Sequence, residues 1–567
     1  GASSSYLLDH QVSRVYADGS ILERYHGVVA IHDRDGVERE GEQRFPSAYL
    51  LTLRTIKPDG TIVEPEIVPN KRSIGMSGLE VGDIVEYEYL MMSGYNGVKR
   101  GCYYTPYVFM FQDVEKPFAR TCWSIKYPPS FKMSFYEQNL PAPPVETKED
   151  GLIVRKYEYR SMPRLVYEPD LPSRNFYLPL VDAVGNLDWR DFALSLQNEV
   201  TGSHPVSLEI SEKCGSLLAG LGTDAAKIEA IIDFVLSEID GEGRSWGNPT
   251  ETLLLGEGNR LQLAMAMLAA AGIRYDFLFA EPTTEALDGN RLPTEGRFRI
   301  PVLRVYPGGK TADYYLESRY RDAGILPWYL QGAKALSVTS PEPWKELTLG
   351  SDWGPWKACE QDEKRVFGPT GDLNVSLSQA LDPDQGAQFR SAFKKLPKDR
   401  WKEVLQMAFA KQFGNVEIAD YDFLNLDENE KSLVLKASAK VSSYASATGG
   451  VLRIEEPIDR LELMKNFGSL EKRSLPLSTG TPFIINQAYT LSLPDGEVAA
   501  VLPGKKKVES KYGSYSIIVR KESGGFTVRR NAFIPFQIVP PSEYPAFVSF
   551  LKQVDDAEKL AIEVKLR

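Results

Sequence analysis

The apolar side chains change period along the chain. Up to about residue 200 they alternate with polar ones or gather in short runs closed by turn residues, a period-two pattern that predicts strands. Ile21 to Ile31 is an apolar-rich run followed by Asp33-Arg34-Asp35-Gly36, read as a turn. Leu51 to Ile56 runs into Pro58-Asp59-Gly60 and resumes at Thr61-Ile62-Val63. Val85 to Tyr89 alternates as Val-Glu-Tyr-Glu-Tyr, which suits a half-exposed strand, and Asn96-Gly97 marks a hairpin. No long helical stripe interrupts the region. An antiparallel β-sandwich over residues 1–204 is expected.

Near Pro205 the period shifts to that of a helix. Thr223 is placed to cap a helix whose Ile228, Ile231, Ile232, Val235 and Ile239 share one face. A loop from Gly241 to Pro249 leads to a second helix over about Asn259 to Ala271, stopped by Gly272. Its filling of Leu, Ala and Met predicts a helix packed on several sides. Strands then follow at Tyr275–Ala280, Ile300–Tyr306 and Ala312–Leu316, giving an α+β unit over 205–345. From 346 to 567 strands return, among them Ser432–Val441, Gln487–Leu493 and Tyr515–Val519, around a helical stretch near Gln385 to Phe413. Ser542 is the expected cap of a closing helix with Tyr544, Phe547 and Leu551 on one face. The fold class is therefore multidomain α+β. Internal repeats and low-complexity tracts are absent.

A chain of 567 residues is too long for one core, which agrees with several domains. Its net charge of -11 and pI near 5.3 argue against nucleic acid or anionic membranes as partners. The run Lys505 to Lys507 reads as a solvated loop. No apolar run reaches the roughly 18 residues of a membrane span. The opening Gly1-Ala2-Ser3-Ser4-Ser5 without Met fits a chain trimmed after a signal peptide, or a cloning choice. The four cysteines, Cys102, Cys122, Cys214 and Cys359, are scattered, with no CxxC and no zinc spacing. They leave the compartment, and a disulfide between Cys102 and Cys122, open. Phosphate loops, a nucleophile elbow and HExxH do not occur. His10, His26 and His32 stand apart without acidic spacing that demands a metal, so neither metal nor cofactor is expected. Acidic residues are plentiful, but nothing singles out a glycosidase-like carboxylate pair.

The segment Leu253-Leu254-Leu255-Gly256-Glu257-Gly258-Asn259-Arg260-Leu261-Gln262-Leu263-Ala264, followed by Ala271-Gly272-Ile273, resembles the nucleophile region of transglutaminase-like domains. The wider order resembles exported bacterial proteins in which a β-sandwich precedes such a domain and another β domain follows. That resemblance implies a papain-like fold and an engine of Cys, His and Asp. The cysteine of that engine opens a helix whose dipole stabilises a thiolate, and an aspartate orients the imidazole. On this sequence the cysteine position carries Arg260. The histidine position falls at Ile300, or one residue away at Arg299 or Pro301, and the aspartate position at Glu317. All four histidines, His10, His26, His32 and His204, precede Pro205, so the domain owns no imidazole. The resemblance thus implies a pseudoenzyme, exported to the periplasm or cell surface.

Arg260 sits awkwardly at a helix N-terminus. It is expected either to pair with Glu317 across the former cleft or to point to solvent. The cleft could instead be a binding site in which Arg260, Arg299, Glu317 and Trp246 hold an anionic or peptide ligand, although Trp246 also reads as a packed ring. Tyr103, Tyr104, Tyr107, Phe109 and Phe111 form either a sheet core or a carbohydrate surface. The leading expectation is a non-catalytic protein that binds a peptide, protein or glycan of the cell envelope. One alternative is an active cysteine hydrolase or transglutaminase with a relocated site, for which Cys214 is the thiol. The other is a structural spacer.

Overall fold

Alternating side chains in the first third fold into two facing sheets. The computed structural model describes residues 1–567 except 46–48, 66–72, 95–99, 106–107, 202–205, 242–246, 287–288, 290–291, 295–296, 317–324, 340–344 and 429–430, and no side chain of 104 or 198–201. The larger sheet runs in the order Val145–Glu149, Leu152–Met162, Phe118–Tyr127, Ser4–Val15, Ile21–Ile31, Ile84–Ser93, Tyr49–Ile56, Ile62–Val63. Met133–Gln138, Leu180–Gly185, Tyr103–Tyr104 and Phe109–Met110 form the smaller one. Trp123 and Tyr157 from the first meet Phe111, Val181 and Ala183 from the second in one core. Phe109 stacks on Trp123 at 5.8 Å, and Trp123 on Tyr157 at 5.7 Å. The aromatic run is therefore core, with Tyr103 and Phe111 buried; Tyr107 and the side chain of Tyr104 lie outside the described residues. Asn96 and Gly97 lie outside them too.

Three features depart from the sequence reading. Ser4–Val15 pairs in parallel with Phe118–Tyr127, so the sheet is mixed. The presumed turn after Ile31 is the start of helix α1, Arg34–Glu40, because the Asp33 carboxylate accepts the Gly36 N–H at 3.0 Å and caps it. Helix α2, Trp189–Thr201, ends the region expected to be all strand, and its Phe192, Ala193 and Leu196 join the core of the middle segment.

In the middle segment, helices α3 (Leu208–Leu217), α4 (Asp224–Glu238), α5 (Pro249–Leu255) and α6 (Arg260–Ala270) precede a five-stranded antiparallel sheet. Its order is Ala312–Tyr314, Ile300–Val305, Tyr275–Ala280, Lys334–Ser337, Glu346–Thr348. As the apolar spacing predicts, α6 is central, buried from Arg260 through Leu268. One sheet face packs Phe277, Phe279, Leu303 and Val305 against the helices; the other packs Leu278, Ala280 and Val302 against Leu326 and Leu330.

Helix α7, Gly354–Lys357, leads to a second eight-stranded sheet: Val416–Leu424, Val434–Val441, Leu373–Ala380, Gln361–Phe367, Phe483–Ser492, Gly525–Ile534, Gly513–Glu522, Lys505–Ser510. Helices α8 (Pro383–Lys395) and α9 (Trp401–Phe413) cover part of its inner face. A short helix α10 (Leu463–Phe467), the closing helix α11 (Tyr544–Ala557) and a four-stranded sheet complete that core. The other face of the large sheet is open. Glu543, not Ser542, takes the cap position of α11, with no side-chain bond, as Pro545 in the first turn removes a donor that a cap would serve. Lys505 to Lys507 belong to an exposed edge strand rather than a loop, a placement that discourages edge-to-edge pairing.

The first and last parts of the chain touch directly. Arg473, 3% exposed, pairs with Glu168 at 3.3 Å, while the Glu168 carboxylate accepts the Ser474 N–H at 2.8 Å.

On the outer face of the first sheet, Glu158 receives Arg120 through two N–H groups at 3.0 and 3.2 Å, with Lys156 and Arg160 beside it. Its hydrogen bonds to Lys156 and Arg120 hold the carboxyl down at about 2. A folded value below the unfolded one stabilises above about pH 4.5, and that stabilisation is lost as pH falls towards 2. Glu158→Gln should therefore lower Tm at neutral pH and narrow its gap from the parent between about pH 4.5 and 2.5. A calorimetric Tm difference that is the same at every pH would refute the assignment.

Candidate functional site

The segment that enters α6 is built by glycines and caps. Asn248 accepts the Thr250 N–H at 2.9 Å to start α5, and Gly256, with φ 69°, ends it. Asp240 donates to Gly256 O and accepts from Gly258 N, both at 2.8 Å, which pins the loop beside the end of α4. Gly258 has φ +143°, and a Cβ there would meet Thr252 Oγ1 at 2.4 Å, so only glycine fits. Asn259 Oδ1 then accepts the Gln262 N–H at 2.9 Å and starts α6. Buried Gln262 in turn accepts the Gly247 N–H at 2.6 Å.

Arg260 resolves its own electrostatic difficulty. Its guanidinium does not stay at the N-terminus of α6 but reaches back to the C-terminus of α4. Nε donates to the carbonyl of Ile239, the C-cap of α4, at 2.7 Å, and Nη2 donates to the same oxygen. A cation at a helix C-terminus is favoured by the dipole. The side chain is 2% exposed and lies flat on Gly241, where a Cβ would stand 3.0 Å from Cζ. The expectation of a solvent-facing Arg260 is corrected by this burial. Glu317 and Trp246 lie outside the described residues. Arg299 is exposed and pairs with Glu285 at 2.5 Å.

Strand parity decides the histidine position. Ile300 packs with Leu278, Ala280 and Val302 on the sheet face turned away from α6. Its neighbours Pro301 and Leu303 take the helix side, where Pro301 is in register with buried Phe279. The helix-facing residues there, Phe277, Phe279, Leu303, Val305, Tyr314 and Leu316, transfer no proton at neutral pH. The described carboxylate of the next strand, Asp313, lies on the far face. There it binds Arg304 through two bonds, 2.5 and 2.8 Å long, and accepts the Gly350 N–H at 3.2 Å. A second two-bond pair, Arg297 with Glu281 at 2.9 Å, is buried beside Trp189 and Phe298. The sequence reading missed both pairs; for Arg304 the signal was a carboxylate in register with it across a hairpin, whereas Arg297 and Glu281 lie beyond the strand ends and leave no such mark.

The described thiols are reduced. Cys214 donates to Met267 O at 3.5 Å inside the helix layer, and burial raises its pKa. Cys359 donates to Pro355 O and Leu381 O. One histidine does meet a thiol. His10 is the lateral neighbour of both His26 and Cys122 on the outer face of the first sheet, with Glu158 beyond. Burial raises the Cys122 thiol, and burial followed by Arg120 and Arg24 lowers the His10 imidazole. Both shifts run against a thiolate–imidazolium pair, which needs the opposite signs. Among the described residues no group of three or more His, Cys, Asp or Glu is placed to hold a metal ion. No described helix is long and apolar enough to cross a membrane.

Over its whole length the chain shares a fold with a protein of Parabacteroides distasonis that is provisionally named a protease. The two align over 99% of each chain with a TM-score of 0.65 and 14% identity. A provisionally named cysteine protease of Cytophaga hutchinsonii aligns over 37% of this chain and 75% of its own at 10% identity and a TM-score of 0.17. An M1 zinc metallopeptidase of Deinococcus radiodurans aligns over 33% and 43% at 10% identity and a TM-score of 0.20. Scores that low carry no argument. Residues 456–564 match the family model of a domain of unknown function with a solved structure, DUF3858. No curated protein matches the sequence.

Arg260→Ala should destabilise the protein by roughly 2–4 kcal/mol, since it strands the Ile239 carbonyl and opens a void over Gly241. Arg260→Lys should recover part of that loss through one donor. Urea unfolding of both variants checks this, and an Ala variant within about 0.5 kcal/mol of the parent would return Arg260 to the surface.

Proposed function

We propose that this protein is a non-catalytic relative of the transglutaminase-like architecture that works by binding, with a layout of 1–204, 205–345 and 346–567. The boundary before the middle domain is better drawn ahead of α2, because Phe192 and Leu196 serve the middle core. The observation that carries the reading is the entrance of α6. Where the resemblance expects a thiolate, a buried guanidinium is committed to Ile239 O, and the described residues of the sheet that pack against the helices are apolar side chains and the phenols of Tyr275 and Tyr314. General-base catalysis needs a group within hydrogen-bond reach of the proton it takes, and none stands there among the described residues. The ligand class in this reading is a peptide, protein or glycan of the cell envelope, and export follows from the same resemblance.

Thiol chemistry tests it. Iodoacetamide at about pH 6 should leave Cys122 and Cys214 unlabelled until the protein is unfolded, because buried thiols ionise late. Fluorogenic casein and amine-incorporation assays should stay at the blank. Rapid labelling of any cysteine at that pH, together with turnover that its Ser substitution abolishes, would establish a cysteine enzyme instead.

A further inference from the structure

A cavity of about 470 Å³ opens where the loop after the middle sheet meets the C-terminal body. Its size lies within the roughly 300–1,000 Å³ of small-molecule sites, which favour domain seams. Its walls are Trp328, Trp356 of α7, the first turns of α8 and the start of strand Phe483–Ser492. Six side-chain amides line it: Gln361, Gln379, Gln385, Gln388, Asn486 and Gln487. No lysine, arginine or histidine does among the described residues.

Two of the amides are fixed from beneath. Buried Arg530 donates to Gln487 Oε1 at 2.6 Å, Gln487 Nε2 donates to Gln361 Oε1 at 2.8 Å, and Gln361 Nε2 donates to Glu363 at 3.0 Å. Each of these amides is thereby oriented and keeps a second N–H. Gln379, Gln385 and Gln388 make no side-chain hydrogen bond among the described residues. Of the three carboxylates that line it, Asp384 accepts from Trp356 Nε1 at 3.0 Å, Asp382 caps α8 through the Gln385 N–H at 2.9 Å, and Glu360 is exposed at the rim. Trp328 is half-buried, with Phe536 5.6 Å away.

Glu360, Gln361, Asn486 and Gln487 also line a smaller hollow of about 200 Å³, together with Arg529 and Asn531. The hollow shares Asp362 and Ala488 with an open trough of about 590 Å³ on the free face of the large sheet. Strand alternation puts Gln361, Gln379 and Gln487 on the opposite face, so the way from cavity to trough passes round the end of strand Gln361–Phe367. Ser376, Ser378 and Ser438 form the low ground of that trough, between Asp362 and Lys364 on one side and Asp420, Asp422 and Lys436 on the other.

We propose that this seam binds a neutral oligosaccharide, one sugar in the cavity beside Trp328 and the next ones along the trough. Amides both donate and accept, as vicinal hydroxyls require, and an indole packs on the C–H face of a sugar ring. A phosphorylated ligand would find no cation in the cavity. An extended peptide would need a free strand edge, whereas Gln361–Phe367 and Phe483–Ser492 are interior strands paired with each other. The proposal does not rest on an inert middle sheet, so a reactive thiol would leave it standing.

Calorimetric titration of the full chain with cellohexaose, chitohexaose, xylohexaose and mannohexaose tests it, with a capped Gly-Ser hexapeptide as control. At least one hexasaccharide should bind saturably. The double variant Gln379→Ala/Gln388→Ala, with Tm unchanged, should bind it roughly tenfold or more weakly, as two lost hydrogen bonds imply. Ser378→Trp, which fills the trough, should weaken the hexasaccharide but not the matching disaccharide. The proposal fails if none of the four binds, if the double variant binds like the parent, or if the peptide displaces the sugar.

Discussion

A guanidinium removed from water must be answered by protein oxygens, and that demand organises this molecule. Six arginines are buried among the described residues: Arg260, Arg297, Arg365, Arg390, Arg473 and Arg530. Removing one partner from a buried pair costs about 3–5 kcal/mol, so each fixes its surroundings. Arg365 meets Glu363 and Asp459, and Arg530 meets Glu558, inside the C-terminal core. Arg390 gathers the carbonyls of Asn425, Glu428 and Lys431, and Arg260 takes that of Ile239. Loops and helix ends that hydrophobic packing alone would leave loose are thereby held in one arrangement.

Much of the architecture was legible in the sequence because it is written in local signals. Thr223, Asn259 and Gly272 announce the ends of two helices, and they do so by capping and by a positive φ. The strands Tyr275–Ala280 and Ile300–Val305 follow their β-branched and aromatic content. What stayed hidden depends on distant partners. The parallel pairing of Ser4–Val15 with Phe118–Tyr127 leaves no local mark, and Asp33 reads equally as a turn residue or a cap. The position of Arg260 was identified, but not where its side chain goes, since the Ile239 carbonyl is 21 residues away. Ile300, or Arg299 or Pro301 beside it, was assigned by alignment alone, and the alternation of the strand puts Ile300 on the face away from α6.

The same arginines join the core to the surface. Arg530 sits between Glu558 in the interior and Gln487 at the cavity wall, so the polarity of the seam is set from inside the C-terminal body. The middle sheet works differently: Arg304 and Asp313 clamp one hairpin, Arg297 and Glu281 pair beyond the strand ends, and Phe277, Phe279, Leu303 and Val305 pack its helix side.

The contact between Glu168 and the segment after Arg473 bears on how the chain is made. The Glu168 carboxylate waits for the Ser474 N–H, which lies 306 residues later in the sequence. Ribosomal synthesis therefore delivers a first domain whose acidic hook has nothing to grip until the final third emerges. Once it does, this contact ties the first third of the chain to the last across the whole middle segment of the sequence.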